Sequence, residues 1–164
     1  MDILIMSDKL THIDESGRAA MVDVSNKPVT RRTATARSIV LLPDVVLQQL
    51  SNGDLLTKKG AVFQTAIIAG IMGAKKTGEL IPLCHSLGLD NCTITININP
   101  QNEVIIDCMA IITAKTGVEM EALVGASIAA LTIYDMCKAL SPDIVIKETK
   151  LIEKTGGKRD FKRA

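Results

Sequence analysis

Aromatic side chains are almost absent from this chain of 164 residues, which has two Phe, one Tyr and no Trp. Single-stranded nucleic acid is held largely by stacking of bases on aromatic rings, so that class of partner is disfavoured. The formal net charge is only +1, from 19 basic and 18 acidic residues, and gives no broad basic surface for a nucleic-acid backbone. We expect no nucleic-acid partner, and a core built from Ile, Leu, Val, Ala and Met.

Metal-binding patterns are also lacking. The four cysteines, Cys84, Cys92, Cys108 and Cys137, show no CxxC spacing, and the chain has only two histidines. Neither a structural zinc site nor a redox pair is therefore predicted, and the thiols are expected to be reduced core residues. No metal ligand is assigned.

Long apolar runs are missing as well. The longest, residues 122–136, is interrupted by Ser127, Thr132 and Asp135, which is typical of a buried helix rather than a membrane span. The apolar run in residues 1–10 is too short for a signal peptide. We expect a cytoplasmic protein with no membrane partner.

The length fits one domain, residues 1–164, large enough to bury about two thirds of its unfolded surface. The polar opening, about residues 1–28, and the basic tail, about 154–164, are candidates for mobile segments. The regular patterns lie between them.

The first half of the chain predicts a strand, a short helix and a longer helix. Residues 30–42 are rich in β-branched side chains and end at Pro43, and a short helix is expected through Gln49 before a turn at 51–53. Small and apolar residues recur at three and four over 61–76, which predicts a closely packed helix ending before Gly78.

The second half predicts a hairpin, a long helix and a last strand. Residues 92–99 alternate polar and Ile side chains, a turn follows at 99–102, and 104–114 forms the second strand. Thr116 and Glu119 have the spacing of a capping box at the start of a helix over 116–138, and 143–153 is the last strand. The order βαββαβ predicts an α+β, ferredoxin-like fold with an antiparallel sheet and helices packed on one face.

Nucleotide-binding motifs are not evident. The segment from Gly70 to Thr77 superficially resembles a phosphate loop, but it lacks the glycine before the lysine and lies in a helical pattern. The central strands carry no aromatic residue on which an RNA base could stack.

The long helix carries charge at both ends and almost none in its middle. Glu119 and Glu121 lie at the start, and Asp135 and Lys138 at the end. Three of them have an ordinary structural interpretation, because Glu119 fits a helix cap and Asp135 with Lys138 fits a surface pair at i,i+3. Two polar clusters flanking an apolar middle nevertheless suggest functional sites.

Two further groups are ambiguous by the same standard. His85 lies in an apolar loop, where a structural histidine is at least as plausible as a catalytic one. Lys58 and Lys59 precede Gly60 and a helix start, so they fit either an anion site at the helix N-terminus or a solvated loop pair.

Taken together, several strings resemble the molybdenum cofactor biosynthesis protein C family, the cyclic pyranopterin monophosphate synthases. They occur in this order: MVDVS at 21–25, KG at 59–60, LIPLCH at 80–85, KTGVEMEAL at 115–123, ALTIYDMCKA at 130–139 and GGK at 156–158. The resemblance covers nearly the whole chain from about Leu10.

The resemblance implies a lyase of molybdenum cofactor biosynthesis. Its substrate would be 3',8-cyclo-7,8-dihydro-GTP, made from GTP by a radical partner enzyme, and it would be rearranged to cyclic pyranopterin monophosphate with release of pyrophosphate. The implied catalytic residues are Asp135 as acid/base with Lys59, His85, Glu119, Glu121 and Lys138. The implied substrate-binding residues are Leu83, Cys84, His85, Met120 and Glu121, with Arg32, Lys154 and Lys158 for the triphosphate.

The family resemblance also implies a ferredoxin-like subunit assembled as a hexamer, a trimer of dimers. No resident cofactor is expected, although a magnesium ion could accompany the triphosphate. The residue types suit the reaction: a lysine beside Asp135 would lower the pKa of its carboxyl, and crowding by cations could lower the pKa of a lysine. Two departures from the family pattern are Ser86, where a proline normally follows the histidine, and a tail one residue shorter at Lys158.

The helix also suggests how the site is assembled. Glu121 and Asp135 are 14 residues apart, which is about 21 Å along a continuous helix, too far to reach one small reacting centre. A two-fold dimer would bring the opposite ends together and place the active sites between subunits. The alternatives are a ferredoxin-like sensor of a small ligand such as a nucleotide, or a non-catalytic assembly module, neither of which would convert a bound nucleotide.

Overall fold

The computed structural model describes residues 16–163. Within them the chain forms eight strands and four helices. In chain order they are β1 Thr30–Leu41, α1 Asp44–Leu47, β2 Leu50–Ser51, β3 Asp54–Thr57, β4 Gly60–Ala61, α2 Val62–Lys75, α3 Thr77–Leu80, β5 Asn91–Ile98, β6 Glu103–Ala114, α4 Glu119–Cys137, β7 Val145–Thr155 and β8 Phe161–Lys162.

The main sheet has five antiparallel strands in the order β5-β6-β1-β7-β8. Its four long strands, numbered along the chain, lie in the order second, third, first, fourth, which is the ferredoxin-like arrangement. The predicted α+β fold is therefore confirmed.

Alternation along the strands selects the buried face of the sheet. Ala36 in β1 is paired with Cys108 in β6 and Val40 with Val104, and all four side chains are fully buried. The two long helices α2 and α4 pack on this face, as predicted, and place the core between helices and sheet.

Small residues allow α2 and α4 to cross closely. A Cβ atom at Gly73 would lie 2.9 Å from the Cβ of Ile128, and one at Gly125 would lie 3.3 Å from the Cβ of Ala74. These distances leave no room for larger side chains, which confirms the close packing expected from the sequence of α2. The segment resembling a phosphate loop lies mostly within α2, as expected from its helical pattern.

The predicted capping box is wrong. The helix begins at Glu119, its N-cap residue is Val118, and no side chain of the N-cap closes its first turn. Thr116 lies outside the helix, and the carboxylate of Glu119 binds Lys154 instead. The helix α2 ends at Lys75, before Gly78 as predicted, but Gly78 does not close its end. It lies within α3, where a Cβ atom would be 3.0 Å from the Cα of Ser86.

Other differences concern short elements. The turn at 51–53 is confirmed, with Asn52 and Gly53 at φ of 52° and 81°, but it belongs to a small sheet, β2-β3-β4, that the sequence did not predict. The last strand runs to Thr155 rather than Glu153, and β8 pairs with it inside the basic tail. Of the opening segment, residues 1–15 lie outside the described residues.

One helix of the described residues, α4, is long and apolar enough by length and composition to cross a membrane. Half of its apolar window is buried inside the molecule, where it packs against α2, β1, β6 and β7. Core helices of globular proteins meet the same criterion, so this packing supports the buried helix expected from residues 122–136.

Candidate functional site

The N-terminal end of α4 borders a cavity of about 520 Å³. This volume lies within the range of small-molecule sites. Four chain segments contribute to its wall: the residues before β1, the loop after α3, the start of α4 and the end of β7. The lining residues are Val22, Val24, Lys27, Leu83, Cys84, His85, Leu87, Thr116, Gly117, Glu119, Met120, Glu121 and Lys154.

The cavity thus brings together most of the residues predicted for this end of the site. Leu83, Cys84, His85, Met120 and Glu121 were the predicted substrate-binding set, and all line it. The loop that carries the first three is turned by a hydrogen bond from the Cys84 N–H to the Ile81 carbonyl, 3.0 Å long. Burial and the nearby charge of Glu121 raise the pKa of the Cys84 thiol, which therefore stays protonated.

Glu119, at the start of α4, is bound by a lysine of β7. The Lys154 Nζ lies 2.8 Å from Glu119 Oε1. Burial alone would raise the pKa of the Glu119 carboxyl, but the hydrogen bond from Lys154, the helix N–H at Glu119 and the charges of Lys154 and Arg32 together lower it. Glu119 is thus an ionised wall of the cavity.

Glu121, two residues later, has the opposite environment. Glu121 is only 3% exposed. Burial raises the pKa of its carboxyl, and the like charge of Glu119 raises it further. Neighbouring acids with pKa values pushed apart are typical of sites that transfer protons. Both residues line the cavity, and Glu119 is the first residue of α4.

His85 contacts the backbone of a distant segment. Its Nε2 lies 2.8 Å from the Val22 carbonyl oxygen. A carbonyl oxygen only accepts hydrogen bonds, so Nε2 carries the hydrogen and Nδ1 is the ring nitrogen left for a ligand.

A smaller recess of about 80 Å³ adjoins the cavity and shares Gly117, Glu119 and Lys154 with it. Arg32 and Lys158 complete a set of three cations there. Arg32 is fixed by donating from Nε and Nη2 to the carbonyls of Ala114 and Lys115, at 3.1 and 3.2 Å. The structure therefore places all three residues predicted for a triphosphate in one recess.

The C-terminal end of α4 carries an exposed ion cluster. Lys138 Nζ lies 2.8 Å from Asp135 Oδ1, and Lys59 Nζ lies 2.9 Å from Asp135 Oδ2. The hydrogen bonds from Lys138 and Lys59 lower the pKa of the Asp135 carboxyl to about 2. The prediction that Lys138 lowers this pKa is confirmed. An apolar cavity of about 330 Å³ lies beside the cluster and includes Lys59 in its wall.

One expectation about the lysines is wrong, and one of the two interpretations left open for Lys58 and Lys59 is excluded. The bond to Asp135 raises the pKa of Lys138, so cation crowding does not lower it. The start of α2 is not an anion site either, because the Asp54 carboxylate accepts from the N–H groups of Phe63 and Gln64 at 2.7 and 3.1 Å. Asp54 thus satisfies free N–H groups that an anion would need.

The two groups of residues do not meet within one chain. Glu121 and Asp135 lie on the single continuous helix α4, so 14 residues separate them by about 21 Å. No group of three or more His, Cys, Asp or Glu residues suited to a metal occurs within residues 16–163.

Sequence reasoning missed seven contributors to the site: six wall residues, Val22, Val24, Lys27, Leu87, Thr116 and Gly117, and Lys115, which contacts the residues before β1. Val22 and Val24 alternate with exposed residues, a pattern that marks one inward face, and Lys115 donates to the Ser25 carbonyl at 2.6 Å. Only the period-two alternation at 21–25 was a usable signal in the sequence.

Comparison with known proteins gives a consistent picture. Residues 21–157 match the MoaC family. The chain is 52% identical over 155 residues, 94% of each protein, to "Cyclic pyranopterin monophosphate synthase" of Xanthomonas axonopodis pv. citri (strain 306).

Longer relatives match as well. The chain is 53% identical over 154 residues to "Molybdenum cofactor biosynthesis bifunctional protein" of Synechocystis sp., covering 92% of this chain and 44% of that protein. It is 48% identical over 162 residues to "Molybdenum cofactor biosynthesis protein 1" of Homo sapiens, covering 98% of this chain and 25% of that protein. The chain therefore spans less than half the length of these two relatives.

Proposed function

Because the chain belongs to the MoaC family, we propose that it is a cyclic pyranopterin monophosphate synthase of molybdenum cofactor biosynthesis. The reaction would convert 3',8-cyclo-7,8-dihydro-GTP to cyclic pyranopterin monophosphate and release pyrophosphate, which makes the enzyme a lyase. We place it in the cytoplasm. The observation that carries the proposal is a nucleotide-sized cavity, with acidic groups in its wall, that opens beside a recess lined by three cations.

The base and sugar would occupy the larger cavity and the triphosphate the recess. Arg32, Lys154 and Lys158 would bind the phosphate oxygens and offset the charge that develops as pyrophosphate leaves. The proposal needs no resident cofactor. A magnesium ion would enter with the triphosphate as part of the substrate.

Rearranging the purine requires proton transfers, and these are efficient when the pKa of the acid or base lies near the working pH. The raised pKa of Glu121 moves its carboxyl toward that range. His85, whose Nδ1 is not used by the bond to Val22, would serve as a second polar group at the substrate. With a pKa of about 2, Asp135 is a weak base as it stands. It holds two ammonium groups in place, and its acid/base role requires substrate to displace one of them.

We further propose that each active site is shared between two chains of a homo-oligomer, a hexamer built as a trimer of dimers. The support is geometric. The cluster of Lys59, Asp135 and Lys138 lies at the C-terminal end of α4, about 21 Å from Glu121, so within one chain the two cannot act on one small reacting centre. A two-fold axis would bring the opposite helix end of the partner chain to the cavity.

The direct test is conversion. Purified protein incubated with the cyclised dihydro-GTP should yield cyclic pyranopterin monophosphate and pyrophosphate by mass spectrometry, and Asp135→Asn should not. Bound but unconverted nucleotide would instead favour a ligand sensor, and the absence of binding would favour an assembly module.

Subunit mixing tests the shared site. Inactive Glu121→Gln and inactive Asp135→Asn chains, dissociated and reassembled together, should regain partial activity because a mixed dimer contains one intact site. Verified mixed dimers without activity would mean that each site is built within one chain.

A further inference from the structure

Part of the wall of the cavity is a short strap, residues 21–27, which precedes β1. Within the strap Val22 and Val24 are half-buried and line the cavity, whereas Asp23 and Ser25 are exposed. The Asp23 carboxylate accepts from the Ser25 N–H and hydroxyl at 2.8 and 2.6 Å. The Lys27 N–H donates to the Val24 carbonyl at 3.0 Å. The strap therefore has its own turn.

Only two side-chain hydrogen bonds described for residues 21–27 join the strap to the rest of the protein. One runs from His85 Nε2 to the Val22 carbonyl, and the other from Lys115 Nζ to the Ser25 carbonyl at 2.6 Å. The Lys115 bond is charge-assisted and short, the stronger kind. The hydrogen bonds from the Ser25 hydroxyl and N–H lower the pKa of the Asp23 carboxyl, and the positive charge of Lys115 adds a smaller contribution.

Lys115 is anchored by its place in the fold. It follows β6 directly, and its carbonyl accepts from Arg32 of β1, so its backbone is tied to the sheet. A rigid backbone lets its ammonium fix the strap. Fixing the Ser25 carbonyl in turn limits where the Val22 carbonyl, three residues earlier, can lie.

We propose that Lys115 is a positioning residue for the cavity. By holding the Ser25 carbonyl, it keeps Val22 and Val24 in the wall and keeps the Val22 carbonyl on His85 Nε2. That bond selects the ring form of His85 that carries its hydrogen on Nε2 and leaves Nδ1 without one. The inference rests on the proposed function only where it concerns turnover.

Two measurements test the strap without any substrate. In Lys115→Met, the amides of Ser25 and Lys27 should exchange with deuterium about tenfold faster than in the unchanged protein, the effect of losing one partly exposed charge-assisted hydrogen bond. Lys115→Arg should restore most of the protection. Equal exchange in Lys115→Met and the unchanged protein would overturn the proposal.

The second measurement is nitrogen NMR of the histidine ring. The chain has two histidines, so the spectrum of His85→Asn assigns the His85 signals by subtraction. The unchanged protein should show the hydrogen on Nε2, and Lys115→Met should show a larger fraction of the other tautomer. An unaltered tautomer ratio would show that Lys115 does not act through His85.

Lys150→Met is the matched control, because Lys150 also forms one short hydrogen bond, to Glu148. It is paired with Arg37 of β1, and paired residues share a face of the sheet, here the one opposite the helices. It should leave the strap amides and the His85 tautomer unchanged. Should Lys115→Met unfold, Lys115→Gln, which removes the charge and keeps a donor, takes its place.

Kinetics complete the test. Lys115→Met should lower kcat/KM for the cyclised dihydro-GTP roughly tenfold, mainly by raising KM, because the strap contacts the ligand before and during the reaction. If the unchanged protein makes no product, the proposed function fails while the exchange and NMR results still decide the role of Lys115.

Discussion

At the N-terminal end of α4 the carboxylates of Glu119 and Glu121 lie in the wall of a cavity, whereas at the C-terminal end Asp135 has 56% of its side chain exposed. At the first end burial raises the pKa of both carboxyls, but the hydrogen bond from Lys154 turns the shift of Glu119 downward, whereas the pKa of Glu121 stays raised. At the second end contact with two ammonium groups lowers one pKa. Burial makes the first end depend on the whole fold. The second depends on a few local contacts.

The strongest way to break this comparison is to remove the ammonium groups of the exposed end. Lys59→Ala and Lys138→Ala should each lower kcat by roughly 100-fold to 10,000-fold, the range for lost proton transfer or charge stabilisation. The melting temperature should change little, because exposed ion pairs contribute little to stability.

Lys58→Ala is the neighbouring control for the Lys59 variant, since Lys58 is also exposed and stands one residue earlier. It should retain turnover. A Lys59 or Lys138 variant that loses activity only because it unfolds at lower temperature would contradict the catalytic assignment.

The buried end is tested next through His85. His85→Asn keeps some hydrogen bonding but removes the imidazole, and it should lower the rate about tenfold or more. Rates measured across about pH 6 to 9 decide the matter. A variant with the unchanged rate over that range would show that His85 is only a structural link to the Val22 carbonyl.

The middle of α4 is expected to affect packing alone. A Cβ atom in Gly125→Ala would lie 2.6 Å from Cys108 Sγ, so the variant should be less stable by about 1–3 kcal/mol and melt roughly 2–10 °C lower. Ser127→Ala, a half-buried position on the same helix, is the control. Stabilisation by Gly125→Ala would mean that the crossing relaxes and that helix propensity dominates.

The smallest expected effect sharpens the contrast within the buried end. The pKa of Glu119 is lower in the folded protein than its ordinary value of 4.5, so its stabilisation is present above that value and is lost as pH falls through the folded pKa. Glu119→Gln should therefore lower the melting temperature by roughly 1–3 °C at about pH 7.5 and less at about pH 4.

Glu121→Gln should behave in the opposite sense. The folded pKa of Glu121 is raised, so the cost of burying its charge is present above that pKa and disappears below its ordinary value of 4.5. The variant should melt higher than the unchanged protein at about pH 7.5, with the difference shrinking at about pH 4. Parallel pH profiles for the two Gln variants would refute the opposite pKa shifts of Glu119 and Glu121.

The same contrast explains how much of the site the sequence could predict. Asp135 and Lys138 are three residues apart on one helix, so their pairing follows from helix geometry. Glu119 finds Lys154 across 35 residues, and His85 finds Val22 across 63, contacts that only the folded sheet creates. The spacing of Thr116 and Glu119 suggested a helix cap, but in the structure the Glu119 carboxylate binds the distant Lys154 instead.

The fold shows the same division. The β5–β6 hairpin was predictable because polar and apolar side chains alternate strictly along β5 and an Asn-rich turn follows, in which Asn102 has a φ of 62°. The small sheet β2-β3-β4 and the last strand β8 have two to four residues each and carry too short a pattern to detect. Asp54 was missed because it caps α2 from a different element.

A rigid α4 with one half-site at each end also sets a gene-dosage rule for the proposed dimer. Suppose intact chains mix at random with chains defective at one end of the helix. Each site draws that end from one chain, so activity falls in proportion to the intact fraction. A chain defective at both ends inactivates both sites to which it contributes. A working site then needs two intact chains, so activity falls as the square of the intact fraction, and the double variant acts as a dominant inhibitor.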